Sequence, residues 1–597
     1  MAHKSLKQIL AIGILLTGWA FGLNVNRING GGSIVYVDFN VPGDVVPLDL
    51  VRTYNSVTAV NEASGWNGAF GWGWTSDFES VLTVTPDRSV VLRDGQSGNT
   101  VIFQAVKDDP KAKEAFFSQI KAAYLKRKLG KEPTAAELKK FSLPSDFMAK
   151  LKSDSQFRIQ MAVAYDIPGE IPKGELLVST QYGYQTIQFQ NNQWIRRRDG
   201  NTHVFDQKGR LIRQEDRNGY YLEYKYDPGK LKLKEISARN QSASLKFTWQ
   251  NNHVSTITDS QGRMARYEYD TRGNLVKVDD SNGQTYEYVY NNERFPHLLT
   301  RINYPSESKG SDSIYRELYY DSQGLVASHR DKDGSITEFT YGKKPNDPAN
   351  NFWTKTVFKN KQSITDPDER YEEFFLKARP DGSRYLYKQV SRSTRRVGNK
   401  RETSSETILF TECCGKPSQI VRAGQTTKFK YYPNGLLKEK IGPRESVAIE
   451  YEPKFMKVSK VVKNGVTSVF QYDSRGNLVK AVAGNRFVGL KYDKQGRIQE
   501  MADTEGGQIK FQYGNQGKPV LIEQRGVGTI QISYNAAGGI ARTETLLNGK
   551  NTRKPSAMES KRIVRQVMGS FQTLLDIIRP AAQVNKALPL AWKVVEK

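Results

Sequence analysis

A chain of 597 residues would ordinarily imply several globular domains. Its hydrophobic content of 38% is below the roughly 45–50% of thick aliphatic cores, and 30 tyrosines supply packing surface instead, since a ring can pack while its hydroxyl reaches water or a partner. The net charge of +26 favours acidic partners, but no helix-turn-helix, zinc-finger or RNA-recognition signature accompanies it, which argues against nucleic acid.

The chain opens with Lys4 and Lys7, an apolar run from Ile9 to Leu16, and small residues at Ala20 and Gly22. This pattern predicts a secretory signal peptide over 1–22 and a secreted, periplasmic or surface protein. The apolar run is too short for a membrane span. Residues 23–104 alternate as a β domain. Between 105 and 179 the β pattern breaks: Ala112, Phe116, Ile120 and Ala123 recur at helical spacing, and Thr134 with Glu137 forms a capping-box pattern. A small helical insertion is expected there, followed by a return to sheet.

From 180 to 548 a Tyr-Asp-x-x-Gly unit recurs. It stands at Tyr472–Gly476 and Tyr492–Gly496, with variants at Tyr513–Gly517 and Tyr534–Gly538, the tyrosines 20, 21 and 21 residues apart. Looser copies begin at Phe205, Tyr226, Tyr269, Tyr320 and Tyr432. Aspartate opens a type I turn by capping backbone N–H groups, and glycine supplies the positive φ that closes a short bulged hairpin. The flanks alternate with period 2, so each unit predicts a β-hairpin stacked on its neighbours. The stretch from Tyr341 to Ser405 is charged and irregular, and reads as degenerate repeats with long loops. After 548 the chain turns basic, with ten Lys and Arg against three Asp and Glu over 549–597. Ile563, Val564, Val567, Met568, Phe571, Leu574, Leu575 and Ile578 predict an amphipathic helix. It reads first as a cap on the sheet end, then as a peripheral membrane contact through 558–578, then as the remnant of an effector.

The repeats resemble the Tyr-Asp (YD) repeat, or Rhs, family. Tyr269-Asp270-Thr271-Arg272-Gly273-Asn274-Leu275 matches its repeat pattern, and Arg52-Thr53-Tyr54-Asn55-Ser56 with Gly68-Ala69-Phe70-Gly71-Trp72-Gly73-Trp74 resembles its leader. The resemblance implies a spiralling β-shell, which in larger members encloses a toxic cargo. The self-cleaving "DPxG" core of those members and a toxin-sized domain have no counterpart in this sequence; Asp227-Pro228-Gly229 reads as a turn. The expected fold is therefore mostly β: antiparallel hairpin repeats in a curved, open or partial shell.

No catalytic constellation, metal spacing or cofactor motif accompanies the repeats, and the aspartates are explained by turn chemistry. A non-enzymatic scaffold is expected, recognising an anionic envelope polysaccharide or a protein partner; the alternative is a polymorphic-toxin shell or delivery component. Tyr286, Tyr288 and Tyr290 share one strand face and, with Arg392, Arg395 and Arg396, are candidate contacts. Cys413 and Cys414 form a possible redox pair, in which a mutual disulfide would be strained because neighbouring Cα atoms lie only ~3.8 Å apart.

Overall fold

The structure, a computed structural model, describes residues 23–567 apart from short stretches, the longest being 42–47, 180–184, 306–313, 361–365, 379–383, 535–539 and 548–554; beyond 567 only 569, 572 and 576 are described. The expected signal peptide and the Cys413–Cys414 pair lie outside the described residues.

One antiparallel sheet dominates. It runs from Val81–Val84 through Val90–Arg93 and Thr100–Ala105, passes to Leu176–Ser179, and continues hairpin by hairpin to Ile540–Leu546. No ladder among the described residues joins the last strand to the first. The sheet folds back instead: Leu82 N–H donates to the Gly209 carbonyl (2.9 Å), and the Tyr220 hydroxyl reaches the Lys494 carbonyl (3.3 Å).

The repeat letters have distinct jobs. In the 270–274 turn, Asp270 Oδ1 accepts the N–H groups of Arg272 (2.9 Å) and Asn274 (2.8 Å). Gly273 N–H donates to the Asp270 carbonyl (3.1 Å), and the Gly273 φ of 81° is one that L side chains rarely adopt. Asp473 repeats the arrangement with Arg475 (2.9 Å) and Asn477 (2.8 Å). The tyrosine sits at a register shift in the ladder, as at Gln471/Tyr472 and Lys491/Tyr492. Its hydroxyl donates to a carbonyl one hairpin earlier: Tyr472 to Val458 (2.7 Å), Tyr492 to Leu478 (2.7 Å), Tyr513 to Ile498 (2.6 Å) and Tyr534 to Pro519 (2.8 Å). Burial raises the Tyr534 phenol to about 12, so this hydroxyl remains a donor. One copy corrects the sequence reading: Tyr431, not Tyr432, makes the bond (to Pro417 O, 2.6 Å), and Tyr432 stands in the aspartate position of the turn.

The charged 341–405 stretch is not loop. It forms the widest strands of the sheet, Asn351–Lys359, Asp368–Ala378, Arg384–Val397 and Lys400–Phe410, with Ile336–Lys343 beside them. Period-2 apolarity is weak there because polar groups occupy both faces; Thr354, Glu372, Gln389 and Ser391 are buried on one of them.

The leader forms its own four-stranded sheet from Asn24–Val25, Gly32–Val41, Leu48–Asn55 and Trp74–Ser76, and shares one core with the repeats up to Ile302. Four helices lie between 110 and 164, around Phe116, Ile120 and Leu151. Thr134 and Glu137 make the reciprocal capping-box bonds. At the far end residues 557–567 are helical, and Ser556 and Glu559 cap the start. Ile563 and Val567 are buried in the core of the final repeats, so this helix covers the sheet end. The rest of the predicted apolar stripe, from Met568 onward, lies outside the described residues.

Candidate functional site

Tyr286, Tyr288 and Tyr290 do share a face, but it is the inner one, which corrects their reading as exposed contacts. Of the three, Tyr288 contacts Arg52, the first residue of the leader motif. Arg52 is 1% exposed and Asp38 5%, and they pair through Nε–Oδ2 (2.8 Å) and Nη2–Oδ1 (3.1 Å). Arg52 Nη2 also reaches the Tyr288 hydroxyl (3.3 Å), and Tyr267 donates to Asp38 Oδ2 (2.9 Å). The guanidinium lies 4.3 Å from the Trp74 ring centroid and 5.1 Å from that of Tyr36. Burial, the largest single influence, opposes its charge, but Asp38, Tyr288 and Tyr267 together hold Arg52 above its ordinary value. Tyr290 accepts the Trp74 indole N–H (3.0 Å), and the Tyr36 and Tyr286 rings meet edge to face at 5.5 Å.

The rest of the leader motif docks on the 270–274 turn. Trp72 donates through its indole to the Arg272 carbonyl (3.1 Å) and stacks on His297 at 4.3 Å. A Cβ on Gly71 would lie 2.4 Å from the Gly273 carbonyl oxygen, so only glycine permits this approach. These groups fasten the leader to the repeats; Tyr288 is buried and Tyr286 and Tyr290 are half-buried.

Arg392 is exposed, in a cleft of about 510 Å³ on the widest hairpins. Lys355, Tyr371 and Arg392 are consecutive cross-strand neighbours. Trp353 stacks on Tyr371 with ring centroids 5.6 Å apart. Lys355 pairs with Glu369 (3.2 Å) and Lys344 with Glu373 (3.7 Å), whereas Arg392 has no ion-pair partner among the described residues. The Tyr371 hydroxyl, and then Glu373, hold the Lys344 ammonium above its ordinary value, so it stays charged. Thr394 and Thr403 line the same cleft and offer hydroxyls.

The opposite face of these strands meets the leader. Glu372 there receives Arg27 (3.3 Å), Arg370 (2.9 Å) and Gln389 (3.0 Å), and Thr354 donates to the Arg27 carbonyl (2.6 Å). The cleft therefore faces away from the leader. Sequence reasoning found Arg392 through its charge but missed Trp353, Tyr371, Lys344 and Lys355, whose grouping depends on strand register.

Arg395 and Arg396 are exposed near the tip of the 384–410 hairpin. The Arg396 N–H donates to Asp368 Oδ1 (3.1 Å) and its side chain lies 3.8 Å from Asp366. Neither residue lines the cleft. Among the described residues no group of three His, Cys, Asp or Glu side chains is placed to hold a metal.

Parts of the chain match known families. A domain of unknown function (DUF6531) matches residues 22–103, the RHS Repeat 249–285, and the Teneurin YD-shell 416–525 and 439–554. Teneurin-m of Drosophila melanogaster is 26% identical over 142 residues, 22% of this chain and 5% of that protein. Among solved structures, the Tc holotoxin pore of Photorhabdus luminescens aligns over 88% of this chain and 29% of its own, at 10% identity and a TM-score of 0.36. The TcdB2-TccC3 structure without its hypervariable C-terminal region aligns over 92% and 31%, at 10% identity and 0.38. This chain spans under a third of the length of each of these three proteins. The repeats are of the YD (Rhs) type, matched over parts of the chain by the RHS Repeat and Teneurin YD-shell models.

Proposed function

We propose that this protein is an exported, non-enzymatic scaffold of the cell envelope that binds an anionic polysaccharide in the Tyr371–Arg392 cleft, beside Trp353. The observation that carries the reading is an ion-pair-free, exposed arginine beside stacked aromatic rings, flanked by Lys344 and Lys355. A sugar ring offers an apolar C–H face to aromatic rings and a rim of hydroxyls to Thr394 and Thr403. Its acidic groups are drawn to the cations, and the net charge of +26 strengthens that long-range attraction. A shell for a released effector is the alternative, but the helix at 557–567 sits in the final core, which favours a retained cap over a departing product.

The test is retention of the purified chain on immobilised acidic envelope polysaccharide over a salt series. Retention at low salt, lost toward ~1 M where the Debye length falls to ~3 Å, is expected. Arg392→Gln and Tyr371→Ala should each weaken it about tenfold, or ~1.4 kcal/mol. Absence of salt-sensitive retention, or full retention by both variants, overturns the proposal.

A further inference from the structure

A second pocket, of about 240 Å³, lies at the seam between leader and repeats. Trp66 and Glu79 line it from the leader, and Arg210, Tyr226, Lys232 and Trp249 from the repeats. Its walls are fixed in place. The Tyr226 hydroxyl donates to the Leu211 carbonyl (2.9 Å) and the Trp249 indole to the Leu233 carbonyl (2.7 Å). With those polar atoms engaged, the rings have apolar surface to offer a ligand, one face of Tyr226 lying under the Arg210 guanidinium at 4.8 Å from its centroid. Glu79 is likewise engaged, accepting the N–H groups of Ala69 (2.6 Å) and Ser76 (3.0 Å).

The cations are not fully engaged. Arg210 grips Asp206 through Nε (2.7 Å) and Nη2 (2.6 Å), while its Nη1 is buried with no hydrogen-bond partner. A buried donor without an acceptor is unfavourable, and an acceptor entering the pocket would relieve it. The Lys232 ammonium donates to the Asn251 carbonyl and stands 5.4 Å from the Trp249 ring centroid, a second positive charge on the pocket wall with further N–H groups to donate. Preorganised aromatic walls, a free guanidinium N–H and a nearby ammonium describe a receptor for a ring that carries a carboxylate.

We propose that the seam pocket binds a single hexuronic acid unit, its C–H face against Trp249 and Tyr226 and its carboxylate on Arg210 Nη1 and Lys232. The ligand class rests on the reading of this protein as a binder of acidic glycan, whereas the pocket is separate from the cleft. Because leader and repeats each supply part of the pocket, occupancy also holds the two together, and the bound chain unfolds at a higher temperature by mass action.

Calorimetric titration of the full chain with glucuronate tests this, with glucose and benzoate as comparison ligands. Glucuronate should bind and raise the melting temperature, and glucose, lacking the carboxylate, should bind at least tenfold more weakly. Arg210→Gln and Lys232→Gln should each lower glucuronate affinity tenfold or more. Should Arg210→Gln fail to fold, the rim variant Lys232→Gln carries the test. No glucuronate binding, equal glucose binding, tighter binding of benzoate, or unchanged affinity in Lys232→Gln would each overturn the proposal. Glucuronate binding by a chain that the polysaccharide matrix does not retain would sustain this site and remove the cleft.

Discussion

Replacing Arg52 with methionine should destabilise the leader–repeat core more than any surface change. Arg52 and Asp38 are 1% and 5% exposed, and the variant strands the Asp38 carboxylate with the Tyr267 hydroxyl as its one remaining side-chain donor among the described residues. Breaking a buried pair in this way costs about 3–5 kcal/mol, because an uncompensated charge is left in a poorly polarisable interior. The lost cation–π contact with Trp74 at 4.3 Å is part of that figure, not an addition to it. Removing both charges, Arg52→Met with Asp38→Leu, leaves mainly an orphaned Tyr267 hydroxyl, worth about 1–3 kcal/mol. The double variant should therefore be the more stable of the two, although it carries more substitutions. Urea unfolding followed by tryptophan fluorescence, with proteolysis of the leader as a second probe, measures both. A single variant within about 1 kcal/mol of the parent, a surface-like change, or a double variant weaker than the single, would refute the argument.

Gly476→Val should lower stability by at least ~1–2 kcal/mol, because the residue sits at φ 81° and the new Cβ would stand 2.9 Å from the Phe455 ring; an unchanged melting temperature contradicts the turn assignment. Tyr492→Phe, which leaves the Leu478 carbonyl without its 2.7 Å donor, should cost about 1 kcal/mol, read by thermal unfolding. Burial raises the Glu79 carboxyl from its ordinary 4.5 to about 7. The folded chain thus holds that proton more tightly, a contribution present below 4.5 and lost as pH rises through 7. Wild type should therefore lose stability relative to Glu79→Gln between pH 5 and pH 8. Taking the difference cancels the opposite trend of His203 and His329, which burial lowers to about 3 and about 4; a pH-independent difference would contradict the assignment.

The repeat was legible because each of its letters acts locally. Aspartate caps its own turn, glycine adopts the φ that closes it, and tyrosine reaches one hairpin back, a distance the 20- and 21-residue spacing already encodes. The leader motif was legible as a resemblance but not as a mechanism, since the Arg52 contact with Tyr288 spans 236 residues and no local pattern announces it. The alternation of Tyr286, Tyr288 and Tyr290 gave one shared face without saying which face; the leader settles it, Arg52 bonding Tyr288, the Trp74 indole Tyr290 and the Tyr36 ring packing on Tyr286. The wide strands between 351 and 410 were hidden because buried Thr354, Glu372 and Gln389 break the apolar alternation that marks a strand. For the same reason the cleft was visible only through Arg392.

The most direct test of the account as a retained, exported scaffold is the intact mass of the protein taken from its native envelope fraction, with and without reductant. The account predicts one species that has lost only the segment ahead of about Leu23 and still carries the helix at 557–567, whose Ile563 and Val567 are buried in the final core. A species cut near residue 549 would contradict it and make the basic tail a released product of a shell.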